Sequence, residues 1–178
     1  MQRRNVLFSA TGVMAMAALG ASKASAQTGM VNPIGPGDYR RATLQLGSFA
    51  KQSALMAQQR AVNWQVRQFG YFEADEQTAV AQVLTDDNNP PLAPVDQTQA
   101  QMLQNLSAIN GPDFDREFLR GQLIGHQQLL QVQQGLLADS SNGNDLEHIA
   151  VLARMVILQH ITMLHDMQNR IPGMIAYR

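Results

Sequence analysis

Two glutamates three residues apart raise the first chemical question in this chain. Glu73 and Glu76 lie in FGYFEADEQTAVAQVL, where Phe69, Val80 and Val83 recur at about 100° per residue on one helical face. Val62 and Val66 extend that face upstream, and both carboxylates fall in its middle. The same interruption occurs twice more. His126 stands at the centre of the stripe Leu119, Leu123, Leu130, Leu137, and His160 at the centre of Ile149, Ala153, Val156, Leu164, Met167, Ile171. Burying a lone ionised carboxylate is costly, so buried charges are normally paired or metal-bound. Carboxylates and imidazoles projecting inward from facing helices are also how metal sites are built in helical bundles. Glu73, Glu76, His126 and His160 are therefore the candidate ligands of one divalent ion, with Fe, Mn or Zn as the expected metals.

A metal-free arrangement uses the same residues. Two carboxylates and two histidines can form a buried polar network that fixes helix register, as in a structural or interaction module of the cell envelope. The remaining candidates are weaker. His148 follows Glu147 in the first turn of its helix, and His165 lies beside Asp166 off the main stripe, so both are expected on the surface. Asp115 shares the His126 face but lies near a helix start, where a carboxylate is favoured by the dipole alone. The methionines fall at helical spacing and read as core filling. No GxSxG, phosphate-binding loop, HExxH or serine–histidine–acid arrangement occurs, and no catalytic residue is assigned.

The elements that must position these residues are all helical. A first helix is expected from about Tyr39 or Gly47 to Ala61, and a second, capped by Asn63, from Trp64 to about Thr85. A turn at Val62-Asn63 is favoured over one unbroken helix. DDNNPPLAPVD, with three prolines, breaks the pattern; Asp96 then caps a short helix to about Ile109. Asp113 is expected to cap a long helix from Phe114 to Ala138, and DSSNGND separates it from a last one, Leu146 to about Ile171. No strand alternation intervenes. This is an all-α, ferritin-like four-helix bundle with one long crossover carrying a short extra helix.

The amino terminus reads as an address. MQRRNVLFSATGVMAMAALGASKASAQ has a basic start, an apolar run and a small-x-small site at Ala24-Ser25-Ala26, the order of a signal peptide cleaved after Ala26. Arg3-Arg4 before Asn5-Val6-Leu7 partly matches a twin-arginine signal, so export by either the Sec or the twin-arginine route to the periplasm is expected. Residues 27–42 are expected to form a flexible leader, 43–171 the helical domain and 172–178 a tail. No membrane span is expected after cleavage. Loss of Arg3, Arg4 and Lys23 takes the formal charge from −1 to −4, which leaves no basic stripe for nucleic acid. The absence of cysteine excludes disulfides and thiolate ligands. Partners are expected to be a second copy or an envelope protein.

Three segments carry a family resemblance: GSFAKQSALMAQQRAVNWQVRQFGYFEADEQTAVAQVL, NGPDFDREFLRGQLIGHQQLL and MVILQHITMLHDM. They resemble the bacterial exported domain of unknown function 4142, a ferritin-like group, over roughly Thr43 to Met167. Phe114, Asp115, Phe118, His126 and His160 match the family's positions. Phe118 stands where tyrosine is usual, and Glu76-Gln77 where an acid–His pair is common. The resemblance implies fold and compartment and no reaction. The chain departs from di-iron ferritins, because Leu123 and Ile157, not glutamates, precede His126 and His160 by three. The ligand count thus disfavours a third reading, a di-iron or di-manganese redox enzyme.

Overall fold

A computed structural model describes residues 32–138 and 144–171. The expected signal peptide, the first residues of the expected leader, the first five residues of DSSNGND and the expected tail lie outside these residues. Five helices follow in order: α1 Pro36–Arg60, α2 Trp64–Thr85, α3 Gln97–Ala108, α4 Gly111–Leu137 and α5 Asn144–Arg170. No strand occurs among the described residues.

Local chemistry sets the helix ends. The Asn63 side chain accepts from the Gln65 amide at 2.8 Å and starts α2, and Asp96 and Gln99 form a capping box at the start of α3. Asp86 ends α2 with φ 54°, a left-handed conformation that aspartate tolerates better than most residues. Arginines finish several helices by donating to terminal carbonyls. Arg40 reaches Leu84, Arg67 reaches Ala61, and Arg60 reaches Ser107 and Ile109.

Two boundaries differ from the sequence reading, and a third agrees with it for a reason that the sequence does not show. The first helix starts at Pro36, so the later part of the expected flexible leader is helical. Proline is well suited to the first helical position, and Tyr39 anchors this turn by donating to Gln133 Oε1 at 2.8 Å from full burial. Asp113 is not the cap of the third long helix. Asn110 and Gly111 (φ 66°) open α4 one turn earlier, and Asp113 pairs with Arg116 on its surface. The chain does turn at Val62-Asn63, and the reason is distant in sequence. Buried Asp115 of α4 accepts from the amides of Val62 and Asn63 at 3.1 and 2.7 Å, satisfying backbone donors that the turn exposes.

The contacts fix the connectivity. The Arg60 end of α1 lies by the end of α3, and the start of α4 lies by the α1–α2 turn. At the opposite end, Ile34 donates to the Gly135 carbonyl near the end of α4. The crossover therefore runs the length of the bundle, so α2 and α4 run parallel and each pairs with an antiparallel neighbour. One long crossover between two helical hairpins is the ferritin-like arrangement.

Small residues make the α1–α2 seam narrow. A Cβ added at Gly70 would stand 2.9 Å from the Ala54 carbonyl and 3.1 Å from the Ala57 Cβ. Gly70→Ala is expected to cost about 1–3 kcal/mol, since backbone rather than a mobile side chain must give way; urea unfolding measures it. The α2 and α5 backbones approach each other less closely than those of α1 and α2 or α4 and α5. Long side chains fill that wider gap, and these include the chemistry-bearing ones.

One feature of α5 escapes the reading of the sequence. Asp145–Arg170 is long and apolar enough, by length and composition, to cross a membrane. Its core-facing residues Leu146, Ala150, Ile157, Leu164 and Met167 nevertheless pack inside the bundle.

Candidate metal centre

The core face of α2 is built from Val66, Phe69, Gly70, Glu73, Ala74, Gln77 and Leu84. It is rotated from the expected stripe: Val62 and Val83 are exposed, and Glu73 rather than Glu76 lies at its centre. Glu73 has no accessible surface, His126 has none and His160 retains 8%. These three side chains come from α2, α4 and α5, and their ligand atoms converge.

Glu73 Oε2 lies 3.3 Å from His126 Nε2 and 3.1 Å from His160 Nδ1, and the two ring nitrogens are 3.1 Å apart. Although two nitrogens lie so near, Glu73 Oε2 makes no well-directed hydrogen bond. Burial of such an oxygen without a hydrogen bond is expensive. The other atoms of the cluster are held by neighbours. Gln77 Nε2 donates to Glu73 Oε1 at 3.0 Å. His126 Nδ1 stands 2.8 Å from the Gln122 carbonyl, which can only accept, so Nδ1 carries a hydrogen. His126 Nε2 is then a lone-pair donor when the ring is neutral. Phe69 packs edge-on to His160 at 5.0 Å between centroids and tilted against His126 at 6.0 Å, and Phe118 packs edge-on to Phe69. This aromatic group closes one end of the cluster.

Glu76 does not join the triad. It is one helical step round from Glu73, on the rim, and its Oε2 is 3.5 Å from His160 Nε2, the ring nitrogen not used in the triad. It stands where a carboxylate orients an imidazole from behind. Burial and the neighbouring Glu73 charge push its carboxyl above the usual range. Burial alone would raise Glu73 as well, but His126 and His160 outweigh it and bring its carboxyl down to about 2. Burial alone would lower His126; the neighbouring Glu73 charge outweighs that and raises it.

The structure thus brings together Glu73, His126 and His160, with Glu76 touching the last from outside. Among the described residues this is the one group of three or more such side chains close enough to hold a metal ion. His148 and His165 are exposed, as expected of them, and Asp115 serves the α1–α2 turn. Two supports were missed in the sequence. Gln77 follows Glu76 directly, and its spacing of four from Glu73 was a usable signal. The Gln122 carbonyl had none, because any residue four before a histidine offers one.

No curated protein and no solved structure matches the chain. A family model matches residues 20–167, most of the sequence, and the match includes Glu73, His126 and His160. The chain belongs to the family described as domain of unknown function DUF4142.

Proposed function

We propose that this chain is an exported helical-bundle protein that binds one divalent transition-metal ion through Glu73 Oε2, His126 Nε2 and His160 Nδ1. The observation that carries the reading is the orphaned Glu73 Oε2, fully buried and facing two ring nitrogens without a directed hydrogen bond. The donor spacings of 3.1–3.3 Å support it. Bonds of about 2.0–2.2 Å place donors roughly 2.8–3.1 Å apart on an octahedral face and roughly 3.3–3.6 Å apart in a tetrahedron. The triangle falls between, so an ion fits above it with little movement. Two imidazoles and a carboxylate suit Zn, Fe or Mn better than Ca or Mg, which prefer oxygen. Three protein donors leave at least one position open to water or a small ligand. Export to the periplasm rests on the Ala24-Ser25-Ala26 site and is part of the same proposal.

The outer groups match the needs of a metal site. Gln122 and Glu76 engage the ring nitrogens that the triad does not use, and Gln77 holds the second oxygen of Glu73. The test is elemental analysis after equilibration with Zn, Mn or Fe(II) and gel filtration. One ion per chain is expected, and none in His160→Ala. An equal, substoichiometric content in both proteins would overturn the proposal.

A second reading keeps the cluster metal-free, with charged His126 donating to ionised Glu73. The opposed shifts of these two groups favour it. Gly47 separates the readings. A Cβ there would stand 2.5 Å from Gln77 Oε1, so Gly47→Ala pushes the Gln77 amide away from Glu73. Loss of such an outer contact is expected to weaken metal affinity about 10-fold or more, read by competition with a chelating dye. A purely structural ion pair predicts no metal signal in either protein.

A further inference from the structure

Of the twelve large hydrophobic side chains exposed among the described residues, ten belong to α2, the turn before it and α5. Leu152 is 69% exposed, Trp64 68%, Val83 60%, Phe72 56%, Met155 53% and Met163 44%. Within the most apolar stretch of α5 only 22% is buried in the bundle, where a core helix would be mostly covered. The antiparallel register set by the Glu76–His160 contact puts Phe72 level with Met163, and Val83 level with Leu152. The apolar surface therefore continues across both helices. Its middle is the place where Glu76 and His160, the outermost members of the cluster, reach the surface. Exposed Gln68, Gln159 and Thr162 on these two helices are uncharged, and Glu76 is half-buried. A one-sided apolar area of this kind on a small domain marks an interaction surface.

We infer that this side is the contact between two copies of the chain, α2 and α5 of one packed on α2 and α5 of the other. The area is sufficient. Helices of 22 and 27 residues are roughly 33 and 40 Å long, and side by side they present on the order of 700 Å², close to the ~800 Å² per partner of a standard stable interface. Two antiparallel helices of similar length form a strip that a two-fold axis maps onto itself, as an isologous contact requires. The Glu76 carboxylate at its middle is turned toward His160, so the strip presents little free charge with which to select an unlike partner. A membrane-surface face would be rimmed with lysine and arginine. Here the lysines are at positions 23 and 51, Arg67 is committed to the Ala61 carbonyl and Arg170 to Asp166. The pairing would cover the His160 side of the cluster and screen it from bulk water. This contact rests on surface composition and register, so it stands or falls independently of the metal reading.

The experiment is sedimentation velocity on the purified chain at micromolar concentration, with helix content checked by circular dichroism. Twice the chain mass is expected. Leu152→Glu and Phe72→Glu are each expected to weaken self-association about 100-fold or more, by placing a charge in the desolvated centre. Leu55→Glu, at an exposed position on α1 outside the strip, is expected to leave it unchanged. A monomeric parent chain would overturn the inference, as would a dimer that survives both substitutions. Flotation of the parent chain with phosphatidylglycerol vesicles as a monomer would overturn it in favour of a membrane face.

Discussion

His126→Ala is expected to lower the stability of the metal-free chain by about 3–5 kcal/mol, the cost typical of leaving a buried charge without its partner. Glu73 has no accessible surface, and its carboxyl is held down near 2 largely by His126, so removing the imidazole strands an oxygen that water cannot reach. Two further losses point the same way. The Gln122 carbonyl loses the hydrogen of Nδ1, and the cavity left behind faces Phe69. Replacing Glu73, His126 and His160 together by apolar residues of similar volume is expected to cost far less than the single change, and can be neutral. Urea unfolding of the parent, the single variant and the triple variant checks this. A single variant within about 1 kcal/mol of the parent would mean that water or another group already satisfies Glu73.

That contrast bears on what the sequence could disclose. Periodicity located the four long helices because each carries an apolar stripe, and it located His126 and His160 because each interrupts one. The rotational phase of α2 was harder to read. Val62 and Val83 look like core residues by type, yet they lie on the exposed side, and Gly70, Ala74 and Gln77 take the core face instead. The reason is packing against α1. A seam of Ala54, Ala57 and Gly70 permits close approach, and small residues add little to a hydrophobic pattern while deciding which side meets a neighbour. With the phase misread, both carboxylates looked central, whereas the structure keeps Glu73 at the centre and moves Glu76 to the rim.

Long-range polar contacts were the other illegible part. Asp115 looked like a helix-start carboxylate, but its partners are two backbone amides more than fifty residues away. The start of α1 was hidden for a similar reason. Gly35, Gly37 and Pro36 suggest a loose leader, whereas Tyr39 is drawn in by Gln133 on α4. Neither pairing leaves a local sequence signal. Val62 just before α2, Val83 on α2, and Met155 and Met163 on α5 were assigned to the core but are exposed, because an outer and an inner apolar residue look alike in composition. The two differ only in phase around the helix.

Metal loading is the other large effect expected, and its dependence on pH separates the two readings of the cluster. With free ion at 1,000 times the dissociation constant, one site stabilises the folded chain by about 4 kcal/mol. The metal-free pair has its own pH window. Glu73 is lowered from 4.5 to about 2, so its contribution is present above 4.5 and is lost as pH falls toward 2. His126 is raised from 6.5, so its contribution is complete below 6.5 and is lost as pH climbs through its folded value. The pair thus stabilises most between about 4.5 and 6.5. A metal ion requires the lone pair of His126 Nε2 and competes with the proton there, so its contribution grows as pH rises. Melting temperatures taken with chelator should therefore decline above pH 6.5, whereas those taken with Zn or Mn should rise relative to them over the same range. The gap between the two curves should disappear in His126→Ala. Parallel curves with and without metal would leave the ion pair as the whole account of why Glu73 is buried.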